Sequence, residues 1–294
     1  MSNSIISRSG RLAIFLLAGI LLIYTIASTS IYSISSTELG LVSKLPITFW
    51  IGLVLLVSLW YFCLGGPPKY QILALVLTVS YLYFAPAVIR VPVWVSESYY
   101  PFGESVLINS QGHLVERAYA PLTSYHFWPL FLYLASTFTL VTAIPHSMIL
   151  KCFPLLTISM YGLLIFLILR LKLKASFAIF GAAWFLSSYF LRQQYFGPQG
   201  IAYIFFLLIV WVMSQLFFDS ETKKGTLAAL YLLLFVVITL THALTSFLTL
   251  IVVVAVYLTH RLLRKRPPAI TARLCMFSAL FLLSYNMFVA PGFF

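Results

Sequence analysis

Long apolar runs alternate along the chain with short polar connectors. Nine runs are predicted to be helices that cross a membrane: residues 11–33, 46–65, 70–89, 148–169, 175–191, 200–218, 226–241, 243–260 and 272–290. An α-helix of about 18 or more apolar residues covers the ~30 Å hydrocarbon core of a bilayer. The runs lack the alternation of polar and apolar residues that is typical of membrane β-strands. The pattern therefore predicts an all-α polytopic membrane protein, with residues 1–294 forming a single transmembrane domain of about nine transmembrane helices.

A tenth apolar run, residues 127–145, has a different character. It is short, has Pro129 near its start and Pro145 at its end, and carries four hydroxyl residues between them. If this run does not cross and the N-terminus is inside, 13 of the 18 Lys and Arg residues are cytoplasmic. If it crosses, 13 of the 18 lie outside. Because cytoplasmic loops are enriched in Lys and Arg, we interpret 127–145 as a re-entrant or interfacial helix on the outer face.

The composition supports this class. The chain is 62% hydrophobic and 8% charged, which excludes a soluble globular domain. Its formal charge of +12 comes from bases that lie mostly in short clusters at the ends of the predicted spans. This placement orients spans in the bilayer, so we expect membrane lipid rather than nucleic acid as a partner. We predict a location in the cell membrane with a cytoplasmic N-terminus.

The predicted extracytoplasmic loop, residues 90–126, carries most of the chemistry. It holds three of the six acidic residues (Glu97, Glu104 and Glu116). It also holds His113, His126, Arg90 and Arg117. No acidic or basic residue lies in the middle of a predicted span, whereas ion-coupled transporters usually place such residues there. Carboxylates, imidazoles and arginines at the outer membrane surface favour an amphiphilic substrate that carries a phosphate.

Two patches resemble the GT-C superfamily of membrane glycosyltransferases, which use lipid-linked sugar donors. The first patch is residues 97–103 (ESYYPFG) with Gly112-His113 after it, in the large outer loop. The second is residues 194–199 (QYFGPQ), with 241–245 (THALT) two spans later. The sequence departs from the family pattern at Glu97, where Asp is commoner, and at Pro101, where His is often found. The chain also ends at Phe294, whereas members of this family usually continue, so a partner chain that supplies a C-terminal half is expected.

The resemblance implies roles for individual residues. Glu97 would be the catalytic base, and Glu104 a second acid or a metal ligand. A cation must stabilise the departing phosphate, and either an arginine or a divalent metal ion serves. The remaining candidates for binding substrate or phosphate are Arg192, Arg117, Gln194, Tyr195, Gln199, His113 and His242. A structural role stays open for each candidate. Glu97 could be a solvated carboxylate and Arg192 an arginine at the membrane interface. Residues 194–199 could form a capped turn, and His242 could be a histidine whose hydrogen bonds are satisfied within a tight turn.

We therefore expect a membrane enzyme that transfers a sugar from a polyprenyl-phosphate carrier to an acceptor on the outer face. Two alternatives remain at this stage. One is a non-catalytic subunit or half-protein that binds lipid-linked glycan. The other is a transporter of lipid-linked substrates. The residues do not identify the sugar, the acceptor or the metal.

Overall fold

The computed structural model describes residues 8–30, 44–63, 66–89, 98–114, 127–188, 195–218, 224–263 and 272–290. Every regular element within these ranges is helical. The helices are α1 (Arg8–Ser28), α2 (Ile47–Cys63), α3 (Pro68–Val79), α4 (Ala85–Ile89), α5 (Tyr99–Gln111), α6 (Leu130–Thr142), α7 (His146–Arg170), α8 (Ala175–Ser187), α9 (Pro198–Phe218), α10 (Lys224–Thr241), α11 (Ala243–Leu263) and α12 (Ala272–Phe288). A π-helical turn, Ser80–Phe84, joins α3 to α4.

Within the described ranges, six helical segments are long and apolar enough to cross a membrane: Ser9–Ser28, Pro68–Ile89, His146–Arg170, Pro198–Leu216, Lys224–Thr241 and Ala243–Leu262. The prediction of an all-helical, multi-pass membrane protein is confirmed at this level. Four further apolar helices, α2, α6, α8 and α12, have 13 to 17 residues. At 1.5 Å per residue, the 13 residues of α6 extend roughly 20 Å, which is less than the hydrocarbon thickness.

Three helix boundaries differ from the predicted ones. Helix α1 ends at Ser28 rather than near residue 33, and the Ser28 hydroxyl donates to the Tyr24 carbonyl (2.7 Å) at this end. Helix α8 ends at Ser187, and Ser188 is already extended with ψ 128°. The third predicted span is interrupted by the π-helical turn, which apolar periodicity alone does not reveal.

The chain divides into two compact units. Unit 1 comprises Met1–Ser96 and Ser147–Tyr195, and unit 2 comprises Glu97–His146 and Phe196–Phe294. Helix α5, which falls in the predicted extracytoplasmic loop, and the short helix α6 therefore belong to unit 2. So do most of the residues that the sequence selects as candidates.

In unit 1, basic residues collect at one end. Arg11, in the first turn of α1, and Lys69, in the first turn of α3, lie over the ring of Tyr70 at 5.2 and 5.4 Å. The Tyr83 hydroxyl donates to the Leu186 carbonyl near the end of α8, and Phe180, near the middle of α8, contacts Trp60 (6.2 Å between centroids), so α8 runs in the same direction as α3. Lys174, directly before α8, therefore lies at the end that carries Arg11 and Lys69. Grouping of bases at one end of a bundle is what a positive-inside orientation requires.

Unit 2 has the same kind of asymmetry. The Tyr231 hydroxyl bonds to Ser278 (2.8 Å), so the first halves of α10 and α12 lie side by side. Nine residue steps separate Leu263 from Ala272, and they span at most about 32 Å, so α11 must run back toward the start of α10. The ends of these helices that carry Lys224, Arg261 and Arg273 therefore lie together. Among the described residues at the opposite ends of α10, α11 and α12 none is Asp, Glu, Lys or Arg, and aromatic side chains such as Tyr285 lie there.

Candidate functional site

Helix α5 carries a buried carboxylate. Its buried residues are Pro101, Glu104, Ser105 and Ile108, which the helical repeat places on one face. Glu104 is 3% exposed and is the one acidic residue within the described ranges. The helix ends at Gly112, whose φ of 77° is left-handed and favours glycine. Burial of a carboxyl group on a helix costs desolvation energy that its contacts must offset, so Glu104 is a candidate functional residue.

A polar cluster joins α5 to α6 and to the first residue of α7. The Asn109 side-chain amide donates to Thr139 Oγ1 (2.6 Å), and its oxygen accepts a hydrogen bond from Ser136 Oγ. His146 Nε2 lies 3.2 Å from both Asn109 Nδ2 and Thr139 Oγ1. The ring of Phe102 packs edge-on against the His146 ring, with 5.9 Å between centroids. Ser136 and Thr139 are buried, so the cluster fastens α5 onto α6 away from water.

His146 can form a hydrogen bond in this cluster whether its Nε2 is protonated or unprotonated. Thr139 Oγ1 donates to the Ser136 carbonyl (2.7 Å), so its lone pairs remain available as acceptors. A protonated Nε2 can donate to Thr139, and an unprotonated Nε2 can accept the second amide hydrogen of Asn109. The arrangement therefore holds the imidazole without fixing its tautomer. The sequence shows the hydroxyl residues of α6 but not their partners, because the pairing depends on how α5 packs.

The end of unit 2 opposite the basic residues gathers aromatic side chains from distant parts of the chain. Trp128, just before α6, packs with Ala243 at the start of α11 and with Tyr285 and Ala290 at the end of α12. The Tyr285 hydroxyl donates to the Phe127 carbonyl (2.5 Å). The start of α6 is thus joined to the α10–α11 junction. We call this group of residues the aromatic end.

The start of α9 belongs to the aromatic end as well. Phe196 packs edge-on against Phe131 of α6, with ring centroids 5.0 Å apart. Tyr195 and Gln199 flank it and are both half-buried. Pro198 is the first residue of α9, a position that suits proline. Residues 196–199 and 241–245, which belong to the second patch of the family resemblance, therefore lie at the same end of unit 2.

His242 is the single residue between α10 and α11, and it caps α11. The Thr245 backbone N–H donates to His242 Nδ1 (3.3 Å), and the Thr245 hydroxyl lies 2.8 Å from the same nitrogen. A nitrogen that accepts from a backbone N–H is unprotonated, so the ring is neutral and carries its proton on Nε2. Burial lowers the pKa of His242 to about 4. His242 therefore offers a neutral N–H donor rather than a positive charge.

The remaining candidates separate into two groups. His113 is exposed directly after α5, and its Nδ1 lies 3.0 Å from the Gln111 carbonyl. Glu97, Arg117, Arg192 and Gln194 lie outside the described residues, as does most of the predicted loop at 90–126 apart from α5. Among the residues that the structure describes, no three His, Cys, Asp or Glu side chains come together in a way that would hold a metal ion.

Helix α6 connects these features, because it packs against α5 and also against α9 and α10. One short helix thus links the buried carboxylate helix, the polar cluster and the aromatic end. No known protein family, curated protein or solved structure matches the chain.

Proposed function

We propose that this chain is an integral-membrane glycosyltransferase of the GT-C type. It transfers a sugar from a polyprenyl-phosphate donor to an acceptor on the outer face of the cell membrane. The observation that carries the proposal is the buried Glu104 carboxylate on a short helix beside helices of membrane-spanning length. The resemblance of residues 97–103, 194–199 and 241–245 to that superfamily supplies the reaction.

The proposed topology places the site outside. Nine helices cross the bilayer with the N-terminus in the cytoplasm, and α6 remains on the outer side, because this topology places 13 of the 18 Lys and Arg residues inside. The collection of bases at one end of each unit supports this orientation. In unit 2 the aromatic end then faces outward, where aromatic residues suit the membrane interface.

The proposed reaction needs one proton transfer and one bond exchange. The acceptor hydroxyl attacks the anomeric carbon of the sugar and gives its proton to Glu97. The bond from that carbon to the phosphate oxygen breaks, and polyprenyl phosphate departs with the electron pair. Glu104 orients the acceptor or the sugar from α5, and Arg117 stabilises the phosphate charge.

In this proposal His242 is a neutral hydrogen-bond donor and not a positively charged phosphate ligand. Its Nδ1 is committed to the cap of α11, which leaves Nε2–H to donate to a sugar hydroxyl or a phosphate oxygen. Gln199, at the same end of unit 2, supplies further hydrogen-bonding groups. Trp128 is buried, so it positions α6 rather than stacking on a sugar.

The test uses the purified full chain with synthetic polyprenyl-phosphate hexoses and a lipid extract of cell envelopes as acceptor. Release of polyprenyl phosphate is measured by mass spectrometry. We expect Glu97→Gln and Glu104→Gln to lower the rate at least about 100-fold, the loss typical of an acid–base group. Gln111→Ala changes an exposed residue on the same helix and should leave the rate unchanged. Thermal unfolding of each variant verifies folding.

Each outcome has a clear meaning. Full activity in Glu104→Gln would remove Glu104 from the site, and full activity in Glu97→Gln would remove Glu97 as the base. Binding of the donors without release of polyprenyl phosphate from any hexose would refute the enzyme and favour the non-catalytic subunit that binds lipid-linked glycan.

A further inference from the structure

An apolar cavity of about 390 Å³ opens within unit 1, between α3, α7 and α8. Its inner wall includes Ile179 and Leu186, which are 2% and 1% exposed. Ile72, Val76 and Leu163 also line it and are about half exposed, so they form its mouth. The volume lies in the range of cavities that bind small ligands.

The position of the cavity determines what can enter it. Its lining residues on α3 and α7 lie inside the membrane-length segments Pro68–Ile89 and His146–Arg170. Two lining residues are polar, Ser80 and Ser159, and the Ser80 hydroxyl already donates to the Val76 carbonyl (2.9 Å). An ordered water needs two to four polar partners, which this wall does not provide. Hydrocarbon from the surrounding lipid is therefore the occupant that the mouth admits.

Exposed basic residues lie at the ends of the same three helices. They are Lys69 in the first turn of α3, Arg170 at the end of α7 and Lys174 directly before α8. On each helix the nearest residue that lines the cavity lies roughly 4–8 Å along the axis from this base. One Arg170 nitrogen donates to the Leu173 carbonyl (2.7 Å), and the guanidinium retains other donors.

We propose that unit 1 binds an anionic phospholipid. One acyl chain fills the cavity between α3, α7 and α8, and the phosphate-bearing headgroup contacts Lys69, Arg170 and Lys174. Basic clusters between membrane helices recognise anionic headgroups by charge, and an apolar slot below them selects a lipid over a free phosphate ion. The site is separate from the proposed transferase site, which lies in unit 2 and the outer loop. Its occupant is structural lipid and not the sugar donor.

The experiment places the full chain in phosphatidylcholine nanodiscs that contain a trace of diazirine-tagged phosphatidylglycerol or diazirine-tagged phosphatidylcholine. After irradiation, the labelled peptides are mapped by mass spectrometry. We expect phosphatidylglycerol to label residues 72–80 and 155–166 at least about tenfold more than phosphatidylcholine does, because each base near an anionic headgroup contributes around fivefold in affinity.

Two variants test the two halves of the site, each with a matched control. Ser159→Trp fills the mouth from an exposed position and should abolish this labelling. Leu156→Trp adds the same bulk at an exposed position of α7 outside the cavity and should preserve it. Replacing Lys69, Arg170 and Lys174 by Gln should remove the preference for phosphatidylglycerol, and replacing Lys224, Arg261 and Arg273 at the basic end of unit 2 should not.

Three results would overturn the proposal. They are equal labelling by the two lipids, labelling that Ser159→Trp leaves intact, and an equal loss of preference in both triple variants. None of them depends on glycosyltransfer, so failure here and failure of the proposed enzyme activity are distinguished.

Discussion

Gly52 on α2 is where the packing of unit 1 is most sensitive to a single added carbon. A Cβ built on Gly52 would lie 2.5 Å from Cζ and 2.8 Å from Cε1 of Tyr81. Tyr81 is fully buried, and its hydroxyl donates to the Ala18 carbonyl of α1 (2.7 Å). Its ring also packs against Phe49. Gly52→Ala therefore forces the Tyr81 ring to move away from α2 and to abandon the carbonyl of α1.

The size of the effect follows from three contributions. Overpacking a well-filled core costs about 1–3 kcal/mol. Loss of a hydrogen bond between membrane helices adds about 0.6–1 kcal/mol. Alanine regains about 1 kcal/mol over glycine in helix propensity. We expect a net loss of about 2 kcal/mol in the free energy of unfolding, measured by SDS-driven unfolding in mixed micelles with tryptophan fluorescence.

Two variants control this prediction. Gly19→Ala adds a Cβ that meets nothing within 4 Å, so it should be neutral or stabilising by up to about 1 kcal/mol. In a Tyr81→Leu background the ring atoms that collide are absent, so adding Gly52→Ala should cost almost nothing further. If Gly52→Ala is tolerated as well as Gly19→Ala, or costs as much with Leu at position 81 as with Tyr, the described contact between α2 and the π-helical turn is wrong.

Three more predictions address the site and the topology. Asn109→Leu leaves the buried Ser136 and Thr139 hydroxyls without their amide partner. It should therefore lower the free energy of unfolding by about 2–3 kcal/mol and increase amide hydrogen exchange in α5. Ser110→Ala, on the exposed side of α5, should change neither quantity. In the folded chain the pKa of His242 is about 4, whereas a histidine in the unfolded chain takes up its proton near pH 6.5. The contribution of His242 to the free energy of unfolding is therefore fully present above pH 6.5 and falls as the pH is lowered from 6.5 to 4. His242→Asn keeps a capping acceptor and should remove this part of the pH dependence from unfolding curves; an unchanged pH profile would contradict the neutral cap. A reporter fused after Lys174 should be cytoplasmic, and an outside signal would exclude the nine-span topology.

The long helices could be predicted because a continuous apolar run of membrane length has few stable conformations other than a membrane-spanning helix. Helix α6 was also predictable as short, since Pro129 precedes its first residue and Pro145 follows its end. The burial of Glu104 could not be predicted from the sequence, because it depends on how α5 packs. The roles of Glu97 and Arg192 stay predictions, because both lie outside the described residues.

The features that the sequence did not reveal are those made by tertiary contacts. His146 looked unremarkable because its partners, Asn109 and Thr139, are 37 and 7 residues away in the chain. The contacts between His242 and Thr245 support the structural alternative, in which the hydrogen bonds of this histidine are satisfied within a tight turn. The division into two units also has no marker in composition, since both units are built from the same apolar helices.

The π-helical turn at Ser80–Phe84 determines which changes in chain length this segment can tolerate. A π turn holds one residue more than the α-helical turn that it replaces, so it behaves as a one-residue insertion within α3–α4. Deleting one residue there would restore a regular α-helix and leave the facing of the flanking helical segments nearly unchanged, because the π turn absorbs its extra residue locally. Tyr83, whose hydroxyl donates to the Leu186 carbonyl, lies within the turn. A related chain with one residue fewer between Pro68 and Ile89 is therefore expected to keep this helix packing, provided that Tyr81 and Tyr83 retain their hydrogen bonds to Ala18 and Leu186.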